Sequence, residues 1–384
     1  MNSSDLPTVV STVNRSGSDA SSLETFQFYI EPFPAQLVRF ILDAVILIAG
    51  VLGNGLVCVV VIKENLHRSL AYCLILNLAI SDLGVLLFSL PFGVLRTEDV
   101  SWPLGEFGCT VLYPLSDVFH GVSIASITAI AVFRYRGIIS GHGLSHKGAM
   151  KTVRIVILLM WVLSFLLFVV PLFFVMYYVE RGGQVVCYPK FPSVMLYKLY
   201  QAETVLLTYL LPLGIILFTY LSIRRRLNES IALHSQIRRE SRNPGSSTPE
   251  RTRCASERNH RALKVLTPVV LVFFATLLPY NVFRVVDIFH DTSQFEYLLL
   301  FFKICILFFV CNSSANPLIY ALFSEDFRKA FKWHMRHCSP SGELSRLSSL
   351  SEKVTSIRRR RTFFTRTSAR NKEGPSSSAS DVFV

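Results

Sequence analysis

The sequence is short of charge, of acids in particular, and of internal repetition. Charged residues make up 17%, against roughly 25% in an ordinary soluble chain. With 51% hydrophobic residues, that excludes intrinsic disorder for most of the length and argues against a string of soluble domains. No repeat of convincing period is visible, which argues against a transporter built from inverted halves. The apolar stretches hold no HExxH run and no paired nucleophile and base, which argues against an intramembrane enzyme. Residues 1–36 lack an apolar run, so no cleaved signal peptide is expected there. Acids number 26 against 39 Lys and Arg, but no nucleic-acid recognition module accompanies the excess, so no nucleic-acid partner is expected.

What the chain does have is apolar blocks. Ile155–Val179, Thr204–Ile223, Val265–Phe283 and Ile304–Ser324 contain no Asp, Glu, Lys or Arg. Phe40–Ile62 contains one acid, Asp43, and Ser69–Leu95 one acid, Asp82. Residues 110–133 are the least apolar, with Asp117, His120 and several Ser and Thr. A spanning helix needs roughly 20 apolar residues because hydrocarbon satisfies no backbone groups. The expected fold is therefore all-α, a bundle of seven transmembrane helices within residues 37–323. Its spans are about 37–62, 69–95, 107–135, 153–179, 198–224, 262–289 and 297–323.

An odd number of spans puts the termini on opposite faces, and basic residues mark the inner one. Residues 1–36 carry one basic residue, whereas 224–264 carry eleven and the segment from 324 carries thirteen. The N-terminus is therefore expected outside and the C-terminus in the cytoplasm. Asn2 and Asn14 lie in glycosylation sequons on the outer tail. The remaining parts are a long inner loop at 225–261, a surface helix at 324–338 and a disordered cytoplasmic tail at 339–384. Inner Lys and Arg clusters, Arg358–Arg361 among them, are also suited to anionic membrane lipids.

Of eight cysteines only Cys109 and Cys187 fall on the outer, oxidising side. A bridge between them would pin the second outer loop over the bundle, and the alternative is two free thiols. The run from Cys109 to Arg134 spans about 37 Å as a helix, which places Arg134 at the inner face. There it is either an interfacial arginine or part of a working Phe133-Arg134-Tyr135 unit. Asn54, Asp82, Ser123, Asn312 and Asn316 put oxygen-bearing side chains at mid-depth in four spans. Such a set holds either a small hard cation or an interhelical hydrogen-bond network without an ion. Pro91, Pro171, Pro212, Pro279 and Pro317 lie within spans, where each removes a backbone hydrogen bond.

One motif per helix now accumulates: Gly53-Asn54, then Leu78-Ala79 before Asp82, then Trp102 with Gly105, then Cys109 and Arg134-Tyr135. Trp161, Pro212 with Tyr220, Pro279-Tyr280 and Asn316-Pro317-Leu318-Ile319-Tyr320 follow. In this order the set resembles the rhodopsin-like (class A) G-protein-coupled receptors through all seven spans. The resemblance implies a plasma-membrane receptor, not an enzyme, that couples an outside ligand to heterotrimeric G proteins. It implies a sodium pocket at Asp82, Ser123, Asn312 and Asn316; no cofactor is required, and sodium would be an allosteric ligand. It implies an activation switch of Arg134, Tyr135, Tyr220, Phe273, Pro279, Pro317 and Tyr320.

Two regions depart from the family pattern. Phe133 stands where the family has an acid, and Asn259 where some members have a Glu. Leu277 replaces a usual Trp, which leaves Phe273 to carry the packing change. These departures imply elevated basal signalling, with a non-signalling decoy as the alternative.

For the ligand, Val310 replaces the lysine an opsin needs, and Ser116 the aspartate of amine receptors. Asp117, His120, Tyr280, Arg284, Asp287 and Lys303 remain as outer polar groups of both signs. They suit a peptide, and the look is closest to the family's peptide receptors, which makes a peptide or neuropeptide the expected ligand. The alternatives are an amine or other small-molecule receptor, and a transporter or channel. Beyond the seventh span, Phe323, Phe327, Phe331 and Met335 repeat every four residues beside basic ones, as in an amphipathic membrane-surface helix. Cys338 just beyond it is a palmitoylation candidate, with a free thiol as the alternative. The Ser-rich tail suits receptor kinases and arrestin, and Val382-Phe383-Val384 suits a PDZ protein.

Overall fold

Among the described residues of the computed structural model, seven helices are long and apolar enough to cross a membrane. They are α1 (Phe33–Lys63), α2 (Leu70–Thr97), α3 (Gly105–Ile138), α4 (Gly148–Phe173), α5 (Val194–Glu229), α6 (Thr267–Phe289) and α7 (Leu300–Phe323). The structure describes residues 8–12, 25–29, 31–98, 101–139, 146–181, 184–240, 250–290, 292, 297–324 and 327–329. Asn2, Asn14, Cys338, most of the expected surface helix and the whole 339–384 tail lie outside these residues. Met1–Arg328 forms one compact unit and Lys329–Val384 a second, of which Lys329 alone is described.

α3 is the axis of the bundle and packs against α2, α4 and α5. Its Ile124, Ile127 and Ala131 share a buried cluster with Leu78 of α2, Tyr209, Ile216 and Ile223 of α5, and Phe273 and Leu277 of α6. This position explains why α3 is the least apolar of the first five spans: more than half of its apolar window meets protein. By contrast α4 turns Leu158, Leu159, Val162, Leu163 and Leu166 outward, as a lipid-facing helix must. Between α1 and α7 the approach is close enough that a Cβ on Gly53 would sit 2.7 Å from the Pro317 ring. Small residues at such crossings let membrane helices touch without a hydrophobic driving force.

Prolines shape four of the helices. Val85–Ser89, Gly108–Leu112, Phe165–Val169 and Leu206–Leu210 are wide, π-helical turns. Each ends two residues before a proline: Pro91, Pro114, Pro171 and Pro212. A proline ring clashes with the carbonyl four residues back and offers no N–H, and widening the turn relieves both. Pro279 and Pro317 instead lie inside continuous α-helix.

Some expected boundaries shift. The fourth span was expected to reach 179, but helix ends at Phe173 and Met176–Arg181 is a strand, β3. Its Tyr177, Tyr178 and Val179 are apolar by count yet are β-forming residues, and an apolar count does not separate the two. β3 pairs antiparallel with β4 (Gln184–Pro189), placing Tyr178 opposite Cys187. The inner loop expected at 225–261 is mostly helix, because α5 continues to Glu240 and the sixth helix begins at Glu250. Near the N-terminus, β1 (Thr8–Thr12) and β2 (Thr25–Tyr29) form a second antiparallel hairpin.

Candidate functional site

At the end of the bundle that the basic-residue bias assigns to the outside, here called the outer end, Cys109 and Cys187 form a disulfide that ties the start of α3 to β4. The hairpin is fixed further by the Trp102 backbone N–H, which donates to the Val185 carbonyl at 2.8 Å. Trp102, Leu172, Val175 and Met176 bury themselves around the bridge.

Below this cover, side chains of α2, α3, α5, α6 and α7 face one another. Arg96 donates to the Tyr113 hydroxyl at 2.6 Å, joining α2 to α3. On α6, one turn apart, Arg284 donates to the Tyr280 hydroxyl at 3.1 Å and lies 4.5 Å above that ring. His120 of α3 packs against Phe309 of α7 at 3.9 Å between ring centres, and Tyr280 meets the same Phe309 edge-on. Asp117 lies within electrostatic reach of both Arg284 and Arg96. All of these stay at least partly accessible although they point into the bundle, so they line a cavity. Of the expected ligand residues, the structure brings together Asp117, His120, Tyr280 and Arg284. Arg96, Tyr113 and Tyr200 join them and were missed. A lone Arg at a span end is also what an interfacial anchor looks like, so only the fold reveals its partner.

Lys303 and Asp287 are committed elsewhere. The Lys303 ammonium donates to Glu98 at 3.1 Å and lies 3.9 Å from Glu31. Arg39 of α1 bridges the same two acids, at 2.9 Å to Glu31 and 2.7 Å to Glu98, with Asp43 at 3.8 Å. This buried ionic cluster joins α1, the outer end of α2 and the start of α7. Burial alone would raise the Glu98 carboxyl, but the adjoining Lys303 and Arg39 charges outweigh it and hold the group below the usual carboxylate range. Asp287 accepts from Tyr197 of α5 and from Thr292, clamping the outer ends of α5 and α6 together.

At mid-depth, Asp82 is fully buried. Its two oxygens accept from Ser123 at 2.6 Å and from the Asn316 amide at 2.8 Å. Ser313, not anticipated, also hydrogen-bonds it. Asn312 is buried one turn before Asn316, while Asn54 spends its amide on the Ser313 and Gly50 carbonyls at 3.0 Å. No Lys or Arg pairs with Asp82 among the described residues, so the site is one carboxylate ringed by neutral oxygen and amide groups. That donor chemistry fits a small hard cation.

At the inner end, Arg134 is exposed near the close of α3, and Tyr135 packs on Phe218 of α5. The Tyr220 hydroxyl accepts from Thr267 at 3.5 Å. Phe273 is fully buried and stacks on Tyr209, and Leu277 sits in the same cluster. Tyr320 stacks on Phe327. Phe133 packs against the cluster of Leu74, Val153 and Met160, so the position where the resemblance expects an acid is an apolar anchor onto α2 and α4.

A cavity beneath the hairpin, a buried polar centre and an aromatic cluster at the opposite end, stacked along one seven-helix bundle, define a transmembrane receptor. Residues 53–320 match the family model of the 7 transmembrane receptors (rhodopsin family), and the chain belongs to that family. Among its relatives, mouse neuropeptide Y receptor type 6 is 29% identical over 329 residues, covering 81% of this chain and 85% of that protein. Rat galanin receptor type 1 is 30% identical over 320 residues, covering 80% and 85%. Human neuropeptide Y receptor type 2 is 30% identical over 305 residues, covering 77% and 75%.

Proposed function

We propose that this receptor sits in the plasma membrane with its N-terminus outside, is activated by an extracellular peptide, and signals through heterotrimeric G proteins. The observation that carries the peptide reading is the cavity itself. Asp117 and the Arg96 and Arg284 guanidiniums share it with Tyr113, Tyr200 and Tyr280. A wall with both charge signs and several hydroxyls matches a ligand with charged termini, amides and side chains better than one compact amine. Relatives named for neuropeptide Y and galanin support the same reading. The ligand acts by binding one arrangement of the bundle more tightly than another, which shifts the population at Arg134, Tyr220 and Tyr320.

Asp117→Ala and Arg284→Ala are each expected to lower agonist potency by about thirtyfold or more, with surface expression retained, since each removes one partner of a desolvated charge contact. A second-messenger screen with peptide pools checks this; unchanged potency in both variants removes the two residues from the site.

A sodium ion is proposed as an allosteric ligand at Asp82, with Ser123, Asn312 and Asn316. When bound it supplies the positive charge that the buried carboxylate otherwise lacks. Purified receptor is expected to unfold at a higher temperature in sodium chloride than in choline chloride, and Asp82→Asn is expected to erase the difference. Equal unfolding temperatures for the unaltered protein in the two salts would remove the ion.

Glycans at Asn2 and Asn14, a palmitoyl group at Cys338, and arrestin, receptor kinases and a PDZ protein as inner partners are proposed on sequence pattern alone.

A further inference from the structure

We infer that the outer cavity contains an anion subsite centred on Arg284 and Arg96, and that the activating peptide presents a carboxylate to it. The inference rests on the peptide reading above and adds the chemistry of the recognised group.

Charge in the outer half of the bundle is unevenly matched. Glu31, Glu98 and Asp43 are taken up with Arg39 and Lys303 in the cluster beside α1. Asp287 is held by Tyr197 and Thr292. Among the described residues, that leaves the cavity wall with two guanidiniums, Arg96 and Arg284, against one carboxylate, Asp117. The surplus is positive.

Hydrogen bonding points the same way. A guanidinium offers five N–H groups and accepts nothing. Arg284 spends one nitrogen on the Tyr280 hydroxyl, while its Nε and Nη1 are buried with no hydrogen-bond partner. Arg96 donates through Nη1 to Tyr113. The Arg284 guanidinium lies over the Tyr280 ring and that of Arg96 over the Tyr113 ring, at 4.5 and 5.3 Å from the ring centres. Aromatic faces of this kind hold the planar group by its face and leave its edge N–H groups to be met by an acceptor, which for Arg284 Nε and Nη1 no group among the described residues supplies. Asp117, in reach of both arginines, keeps them from repelling each other without cancelling them. Of the anionic groups an unmodified peptide carries, all are carboxylates, either the C-terminus or an Asp or Glu side chain.

The test uses the full-length receptor in cells and peptide pools made in pairs, with C-terminal acid or amide, each with and without Asp and Glu. Small organic acids such as succinate form a further arm, and the same probes are added to purified receptor in thermal unfolding. Carboxylate-bearing pools are expected to act at concentrations at least about thirtyfold lower than amidated pools free of Asp and Glu. That gap is expected to vanish in Arg284→Gln at matched surface expression and to survive in part in Arg284→Lys, which also guards against misfolding. A terminal source shows as dependence on acid against amide, and a side-chain source as dependence on Asp or Glu. Equal action of all pools, indifferent to Arg284→Gln, overturns the subsite and leaves the peptide reading standing. Action by small organic acids alone, lost in Arg284→Gln, supports the subsite and overturns the peptide reading. Absence of any carboxylate-dependent response or stabilisation overturns the subsite.

Discussion

Arg39→Met is expected to destabilise the receptor by about 3–5 kcal/mol, the usual cost of removing one partner from a buried ion pair. Surface ion pairs contribute far less, so burial decides the magnitude. The side chains of Arg39, Glu31, Glu98 and Lys303 are only 6%, 8%, 9% and 12% accessible. Without Arg39, three carboxylates would share the single charge of Lys303. The methionine would fill the space without answering them. The double variant Arg39→Met with Glu98→Gln is expected to recover part of the loss, because members of one network do not act independently.

The same cluster gives a pH signature. Glu98 is held below its ordinary range, so its stabilising contribution is full above the ordinary carboxylate pKa and is lost as pH falls through the depressed value. Removing Arg39 takes away one of the charges that depress it, so acid destabilisation is expected to begin at higher pH in the variant. Thermal unfolding of purified receptor at neutral and mildly acid pH measures both effects. An unchanged unfolding temperature in Arg39→Met at neutral pH would refute the assignment.

The second large effect is expected from Cys109→Ala. The disulfide joins residues 78 positions apart, and closing a loop of that length is worth about 4 kcal/mol on the chain-entropy account. Here the bridge also anchors the β3–β4 hairpin, whose Trp102, Val175 and Met176 contacts depend on its position. Cys109→Ala is expected to cut surface expression severely and to abolish the agonist response of what remains. Cys187→Ala and the double variant are expected to match it, since the bond is lost once. Ligand response intact after either substitution would sink the claim.

Much of this was legible in the sequence because membranes impose long apolar runs and a charge bias. The seven spans, the Cys109–Cys187 pair and the grouping of Asp82 with Ser123 and Asn316 could all be named from sequence. What escaped was whatever depended on which neighbour a side chain meets. Arg39 and Glu98 are unremarkable residues near span ends until α1, α2 and α7 converge. Lys303 was expected to meet ligand because nothing along the chain reveals Glu98 beside it, 205 residues away. Tyr177–Val179 was expected to be helical because an apolar run carries no mark of its own period. Phe133 is a departure visible along the chain, but its packing against the cluster of Leu74, Val153 and Met160 is set only by the fold.

The four wide turns have a consequence for how this chain tolerates changes in length. In a regular helix, adding or deleting one residue rotates everything beyond it by about 100°. Such an indel would swing Arg96 or Tyr200 from the cavity toward lipid. A π-helical turn already holds one residue more than an α-turn, so deleting a residue within Val85–Ser89 or Leu206–Leu210 can be absorbed by tightening that turn alone. The faces on either side then keep their phase, at the cost of restoring the clash with Pro91 or Pro212. These short segments are thus the joints at which related chains can differ by one residue while each half of the helix keeps its neighbours.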